Sequence, residues 1–295
     1  MRITLTGATG FVGRALCETL AAQGHDLQDL TRNPDLARGL LPTSAEAVAY
    51  DSPDAFSSAD AVINLAGESV VGLWTAAKRR KIRDSRVLGT QRLVESLASR
   101  KTQPSVLISA SAIGYYGDRG DEILTESSRP GEGFLAETSI EWESAALQAE
   151  DLGIRTAVLR IGIVLETGGG ALGSMLTPAK LGLGGPLGSG KQWWSWIHRD
   201  DLIGLILHCL NDERITGPVN ATAPEPMQQG LFAKTLGSVL HRPAFLPAPA
   251  FVLRTVLGGF SEELLSSKRV LPQAALDSGY AFQHRSLSGA LKAIL

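Results

Sequence analysis

Met1-Arg-Ile-Thr-Leu-Thr-Gly7-Ala-Thr-Gly10-Phe-Val-Gly13 opens the chain, and the reading of these residues decides the fold. Ile3 and Leu5 alternate with polar residues as in a short strand, and Phe11, Val12, Leu16 and Leu20 continue at helical spacing. Between them stand three glycines, each three residues from the next. A strand, a Gly-rich turn and a helix form the device that sets a pyrophosphate on a helix N-terminus. Gly7 serves the tight turn. Gly10 leaves the backbone open to phosphate, and Gly13 lets the helix pack closely on the strand. Thr9, Phe11 and Val12 complete the predicted cofactor-binding turn.

Bulk properties narrow the class. The 295 residues are 44% hydrophobic and 20% charged, as in an ordinary globular protein. The net charge of −2, with no long basic block, gives no reason to expect a nucleic-acid partner. No apolar run reaches bilayer length, so no membrane partner is expected. Cys17 and Cys209 fall in apolar helical patterns and read as buried free thiols of a reducing compartment. The chain runs directly into a strand with no leader, and a cytoplasmic location is expected. The expected species is a monomer or a homodimer, and no metal site is expected.

Strand-like and helix-like segments alternate over residues 1–165. Strands are predicted at Asp26–Thr31, Ala47–Tyr50, Ala59–Leu65, Ser105–Ala110 and Arg155–Ile161, and helices at about Thr75–Arg100 and Leu135–Leu152. This alternation predicts an α/β fold, a Rossmann-type doubly wound parallel sheet. Residues 166–295 are richer in glycine and proline. They are read as a smaller, substrate-facing C-terminal part with some segments returning to the sheet. Leu172–Leu181, Phe251–Leu257 and Glu262–Leu265 read as helices there, and Val219–Pro226 as a loop.

The second strand ends Thr31-Arg32-Asn33, about twenty residues after the last glycine, where an acidic residue selects NAD and an Arg accommodates the 2′-phosphate of NADP. Arg32 therefore points to NADP, against the plainer reading of a solvated strand-end Arg. Asp29 sits too early to play the acidic part. Gly185-Pro-Leu-Gly-Ser-Gly190-Lys191 mimics a P-loop, but Gln192 stands where Ser or Thr must hold Mg²⁺. The tryptophans that follow, Trp193, Trp194 and Trp196, suit a substrate-pocket wall.

The glycine spacing resembles the short-chain dehydrogenase/reductase superfamily, in its extended, epimerase-like branch. So does Asn64-Leu65-Ala66-Gly67-Glu68, whose Leu65, Ala66 and Gly67 would line the cofactor. Arg86-Val-Leu-Gly89-Thr90 resembles a stretch where that branch usually carries Asn. Arg86 facing the cofactor would supply a bidentate phosphate donor. Ser109-Ala-Ser111-Ala-Ile-Gly-Tyr115-Tyr116-Gly117 resembles the branch's serine-bearing segment. The resemblance implies a catalytic Ser111, with Ser109 one pleat earlier beside the cofactor. Arg160 and Ile161 match the segment beside the nicotinamide. In Trp196-Ile-His198-Arg-Asp200-Asp201, an Asp is expected to cap a helix and His198 to be structural.

One departure stands out. The superfamily's acid/base Tyr, with a Lys four residues on, is missing from Phe134-Leu-Ala-Glu137-Thr-Ser139-Ile-Glu141-Trp142-Glu143. Tyr116, or Tyr115, is the expected substitute. Arg269-Val-Leu-Pro272, Ser278–Phe282 and the Gly/Trp run are similar to one subgroup, the epimerase family proteins with an extra C-terminal domain. The resemblance implies an NADP-dependent oxidoreductase or epimerase acting on an unknown small molecule. The alternative is a non-catalytic NADP-binding sensor or assembly factor.

Overall fold

A computed structural model of the chain describes every residue except Pro53 and Ser57. The first half contains β1 (Arg2–Thr6), α1 (Phe11–Ala22), β2 (Asp26–Thr31), α2 (Pro34–Arg38), β3 (Ala45–Ala49) and β4 (Ala61–Asn64). Then come α3 (Ala76–Ala98), β5 (Val106–Ala112), β6 (Ile123–Leu124), α4 (Phe134–Leu147), β7 (Arg155–Ile161) and β8 (Ile163–Leu165). The rest contains α5 (Gly170–Lys180), β9 (Trp193–Trp194), β10 (Trp196–His198), α6 (Arg199–Asn211), β11 (Gly217–Ala221) and β12 (Met227–Gln228). It ends with α7 (Gln229–Val239), α8 (Ala250–Leu257), α9 (Phe260–Leu265), β13 (Arg269–Val270), α10 (Gln273–Asp277) and α11 (Leu287–Ile294).

Seven strands form one sheet in the order β11-β7-β5-β4-β1-β2-β3, parallel throughout. This is the expected Rossmann-like doubly wound arrangement. Ile3, Leu5, Ile108 and Leu159 pack with Leu16, Cys17 and Leu20 of α1 and Leu202, Leu205 and Ile206 of α6. Val62 and Leu107 pack with Leu93, Val94 and Leu97 of α3. Both faces are thus covered, which is why the strands read as near-continuous apolar runs.

Val219–Pro226 corrects the loop expectation, because Val219, Asn220 and Ala221 belong to β11 at the sheet edge. Pro218 is tolerated there because an edge strand leaves one row of N–H groups unpaired. A second core lies beyond the sheet, where Trp194, Trp196 and Phe232 pack with Leu287, Ala290 and Leu291 of α11. Trp194 and Trp196 are therefore core residues rather than a pocket wall. Asp201 ties this part down by accepting from the backbone N–H groups of Gln283, 2.7 Å, and His284, 2.9 Å.

Candidate functional site

The turn after β1 is built by its glycines. Gly7 has φ +76°, and a Cβ there would come within 2.8 Å of the backbone of Leu65 and Ala66. A Cβ on Gly13 would collide with the Gly7 carbonyl. Gly10 differs, since a Cβ would meet only that carbonyl, at 3.1 Å, and its other side is open. Gly10 is also the N-cap of α1, with no side-chain cap and no acidic residue in the first turn. The amides at this helix end are left for an anion, so the turn fits a pyrophosphate. Thr9, Phe11 and Val12 are half-buried around it, and the Phe11 ring lies against Gly169 and Gly170.

Two further strand ends face the same turn. Thr31 is half-buried and Arg32 exposed at the end of β2. Asp29 is buried on the sheet, and among the described residues no hydrogen bond of good geometry reaches its oxygens. Burial pushes its carboxyl up to about 6, with a smaller opposing pull from the Ala8 amide. After β4, Leu65 and Ala66 are half-buried and Gly67 is exposed. The Arg86 guanidinium lies directly under Gly67, where a Cβ would stand 3.2 Å from Cζ. Its Nη1 donates to the carbonyls of Glu68, 2.9 Å, and Ile82, 3.1 Å. Burial lowers its pKa to about 10, against the pull of Glu68. Glu68 itself is engaged by Lys78 at 2.7 Å.

Ser109 belongs to a polar row. Thr6 donates to Asn64 Oδ1, and the Asn64 amide donates to Ser109 and to Thr90 of α3. Strand register lines up Thr6, Asn64 and Ser109. A second row crosses the sheet through Ser111, Arg160 and Asn220, which are paired in register on β5, β7 and β11. Ser111 Oγ donates to Glu143 Oε1 at 2.6 Å. Arg160 grips the same carboxylate twice, Nε to Oε1 at 2.9 Å and Nη2 to Oε2 at 2.8 Å. Its Nη1 donates to the Tyr116 hydroxyl at 2.9 Å, and that hydroxyl lies 2.6 Å from Asn220 Oδ1.

This network corrects two expectations. The Tyr116 ring is wholly buried, its hydroxyl is engaged, and burial pushes its pKa up to about 12. It has neither the access nor the proton affinity of a direct acid/base group. Arg160, expected beside the nicotinamide, has its guanidinium committed instead to Glu143, Tyr116 and the Glu126 carbonyl. Ile161, half-buried at the end of β7, is in register with Ala112 and Ala221. The sequence reading missed Glu143 and Asn220. The signal for Glu143 is a carboxylate on the buried, otherwise uncharged stripe of α4, beside Ser139, Trp142 and Ala146.

Elsewhere the geometry is structural. His198, not an Asp, caps α6, its Nδ1 accepting from the Asp200 amide at 3.1 Å. His198, Asp200 and His284 bring ligand atoms within 4.8 Å of one another. The two imidazoles are stacked 3.7 Å apart, so their in-plane lone pairs run side by side instead of converging on one ion. The P-loop mimic is held by Gln229, whose side chain accepts from the Leu187 amide, and by Gln192, which donates to the carbonyls of Leu187 and Leu264.

The NAD dependent epimerase/dehydratase family profile matches residues 3–221. The chain belongs to that family. Residues 248–294 match a domain of unknown function, DUF1731. An epimerase family protein homologue of Arabidopsis thaliana, described as chloroplastic, is 39% identical over all of this chain and 87% of its own length. The epimerase family protein YfhF of Bacillus subtilis is 38% identical, covering all of this chain and 98% of the relative. A crystal structure of human epimerase family protein SDR39U1 with NADPH is 34% identical, with a TM-score of 0.89 over 100% of this chain and 99% of that one. On α4 of this chain it is Glu143, held by Arg160, that aims an ionisable group at the sheet. Among the described residues no helix is long and apolar enough to cross a membrane.

Proposed function

We propose that the protein binds NADP and acts as an oxidoreductase or epimerase on a small molecule. The observation that carries this is Arg32, exposed at the end of β2 and without an ion pair among the described residues, where the 2′-phosphate is read. The NADPH-bound human relative supports it. Gly7, Thr9, Gly10, Phe11, Val12 and Gly13 would hold the pyrophosphate. Thr31 and Arg32 would hold the 2′-phosphate end. Leu65, Ala66, Gly67 and Arg86 would flank the body of the cofactor, with Ser109 and Ile161 on the strands beneath its far end. The bound nicotinamide supplies hydride chemistry.

Ser111 is the proposed substrate-facing hydroxyl. Its proton points at Glu143, so its lone pairs are free to accept from a substrate hydroxyl, and proton movement would follow Ser111 to Glu143. Tyr116 is assigned a positioning part, holding Arg160 and through it Glu143. The buried free thiols Cys17 and Cys209 fit a cytoplasmic setting.

A second reading, a non-catalytic NADP sensor, is favoured by the 3% exposure of Ser111. Calorimetric titration with NADPH and NADH tests the cofactor assignment. Losing a charge-assisted bond of about 1.5–3 kcal/mol, Arg32→Ala should weaken NADPH binding roughly 10- to 100-fold and leave NADH almost unchanged. Equal losses for both would refute it. Single-turnover oxidation of bound NADPH against a carbonyl panel separates enzyme from sensor.

A further inference from the structure

The C-terminal part carries an apolar face that nothing covers among the described residues. None of the eight residues of α8 is buried, and Phe251 and Val256 are 70% and 63% exposed. The segment before α8 adds Phe245 at 74% and Leu246 at 49%. That segment is clamped to the 183–188 loop: Gly188 donates to Ala248, Ala248 donates to Pro186, and Gly185 abuts the Leu246 backbone. The loop brings Leu183, 56% exposed, alongside. At the other end of α8, Gly258 lies against Leu73, 61% exposed, so the band is continuous with the loop after β4. Pro243, Pro247 and Pro249 stiffen it.

Charge says what covers this face. Residues 167–199 and 226–261 contain no Asp or Glu, although the whole chain is net negative; of the two acids that follow on α9, Glu263 is paired with Lys268 and Glu262 is exposed. They hold Lys180, Lys191, Arg199, Lys234, Arg242 and Arg254. Of these, Lys180, Arg242 and Arg254 are exposed on the band's own segments. Across the Gly258–Gly259 turn the exposed Arg79 sits over Trp74. A second copy would repeat the same cationic excess on both sides of the contact, which disfavours self-association. An anionic lipid surface instead takes the rim on its headgroups and the Phe and aliphatic side chains at the acyl boundary.

We propose that this face, Leu183, Phe245, Leu246, Phe251, Val256 and Leu73 rimmed by Lys180, Arg242 and Arg254, docks the protein on the surface of anionic bilayers. Docking is peripheral, since α8 is far too short to span. It places the loop after β4, and with it the lip of the cofactor cleft, next to the lipid.

The test is co-sedimentation of the full chain with phosphatidylcholine vesicles, with and without phosphatidylglycerol. Binding should be roughly tenfold or more stronger with phosphatidylglycerol and should weaken with added salt. Phe245→Ser combined with Phe251→Ser should reduce it by roughly tenfold or more while the thermal midpoint stays put, because both rings are exposed. Lys180→Gln with Arg254→Gln should remove the preference for phosphatidylglycerol. No pelleting, equal pelleting with both lipids, or a Phe variant that binds like the wild type would overturn the proposal. So would a concentration-dependent dimer that the Phe variant loses without any vesicle binding. None of these readouts depends on NADP.

Discussion

Arg160→Met removes one cation from a carboxylate that has little other support. The Arg160 and Glu143 side chains are only 4% and 8% exposed, and two hydrogen bonds of 2.9 and 2.8 Å join them. Met keeps much of the volume but leaves Glu143 charged and buried, with the Ser111 hydroxyl its one remaining side-chain donor among the described residues. Removing one partner of such a pair costs about 3–5 kcal/mol, out of a typical total of about 5–15. With a urea slope near 3 kcal/mol per molar, the midpoint should fall by about 1–1.7 M. The companion variant Arg160→Met/Glu143→Leu removes both charges and should recover about 1–3 kcal/mol of that loss. Tyr116 and Ser111 each lose a partner in the double variant, which limits recovery by about 1 kcal/mol each. Urea unfolding followed by tryptophan fluorescence reads all the variants. A loss below about 1 kcal/mol for Arg160→Met, or a double variant no more stable than the single, would refute the view that this pair is a buried, mutually dependent unit.

Gly10→Val should abolish NADPH binding in calorimetry while the fold survives, whereas Gly13→Ala should lower the thermal midpoint more steeply because its Cβ meets the Gly7 carbonyl at 2.2 Å rather than 3.1 Å. Asp29 binds a proton more tightly folded, at about 6, than unfolded, near 3.9, so its burial penalty is present above about pH 6 and fades as pH falls toward 4. Asp29→Asn should therefore raise stability by up to about 3 kcal/mol at pH ~8 and by about 1 kcal/mol at pH ~4.5, measured as urea midpoints at the two values. Should a substrate emerge, Ser111→Ala is expected to lower kcat by about 10²-fold with little change in KM; an unchanged kcat would remove Ser111 from the chemistry.

The first βαβ unit was legible because its signals are local: three glycines, a short strand and an apolar helix stripe lie within the first twenty residues. Arg32 was legible for the same reason, since its meaning depends on its place after β2. The Ser111 network was not legible, because its bonds link Arg160 to residues 17 and 44 positions away, and Tyr116 to one 104 away. β11 was hidden by Pro218 and Asn220, which mark loops unless an edge position accepts them. Trp196 looked like a pocket wall because aromatic runs suit both clefts and cores. Its burial is set by α7 and α11, segments that a local reading does not bring to it.

The placing of β11 bears on how the protein is made. The sheet is not finished when the strands of its first half have been synthesised. β7 takes its outer partner from Gly217–Ala221, beyond α6. A nascent chain that has reached Leu165 therefore holds β7 as an open edge carrying Ala157, Val158 and Leu159, an invitation to pair with a neighbouring chain. At about 5–20 residues per second the ribosome needs several seconds to deliver the closing strand. This interval is where chaperones should engage the chain, and where premature termination should yield aggregate rather than a trimmed nucleotide-binding fragment.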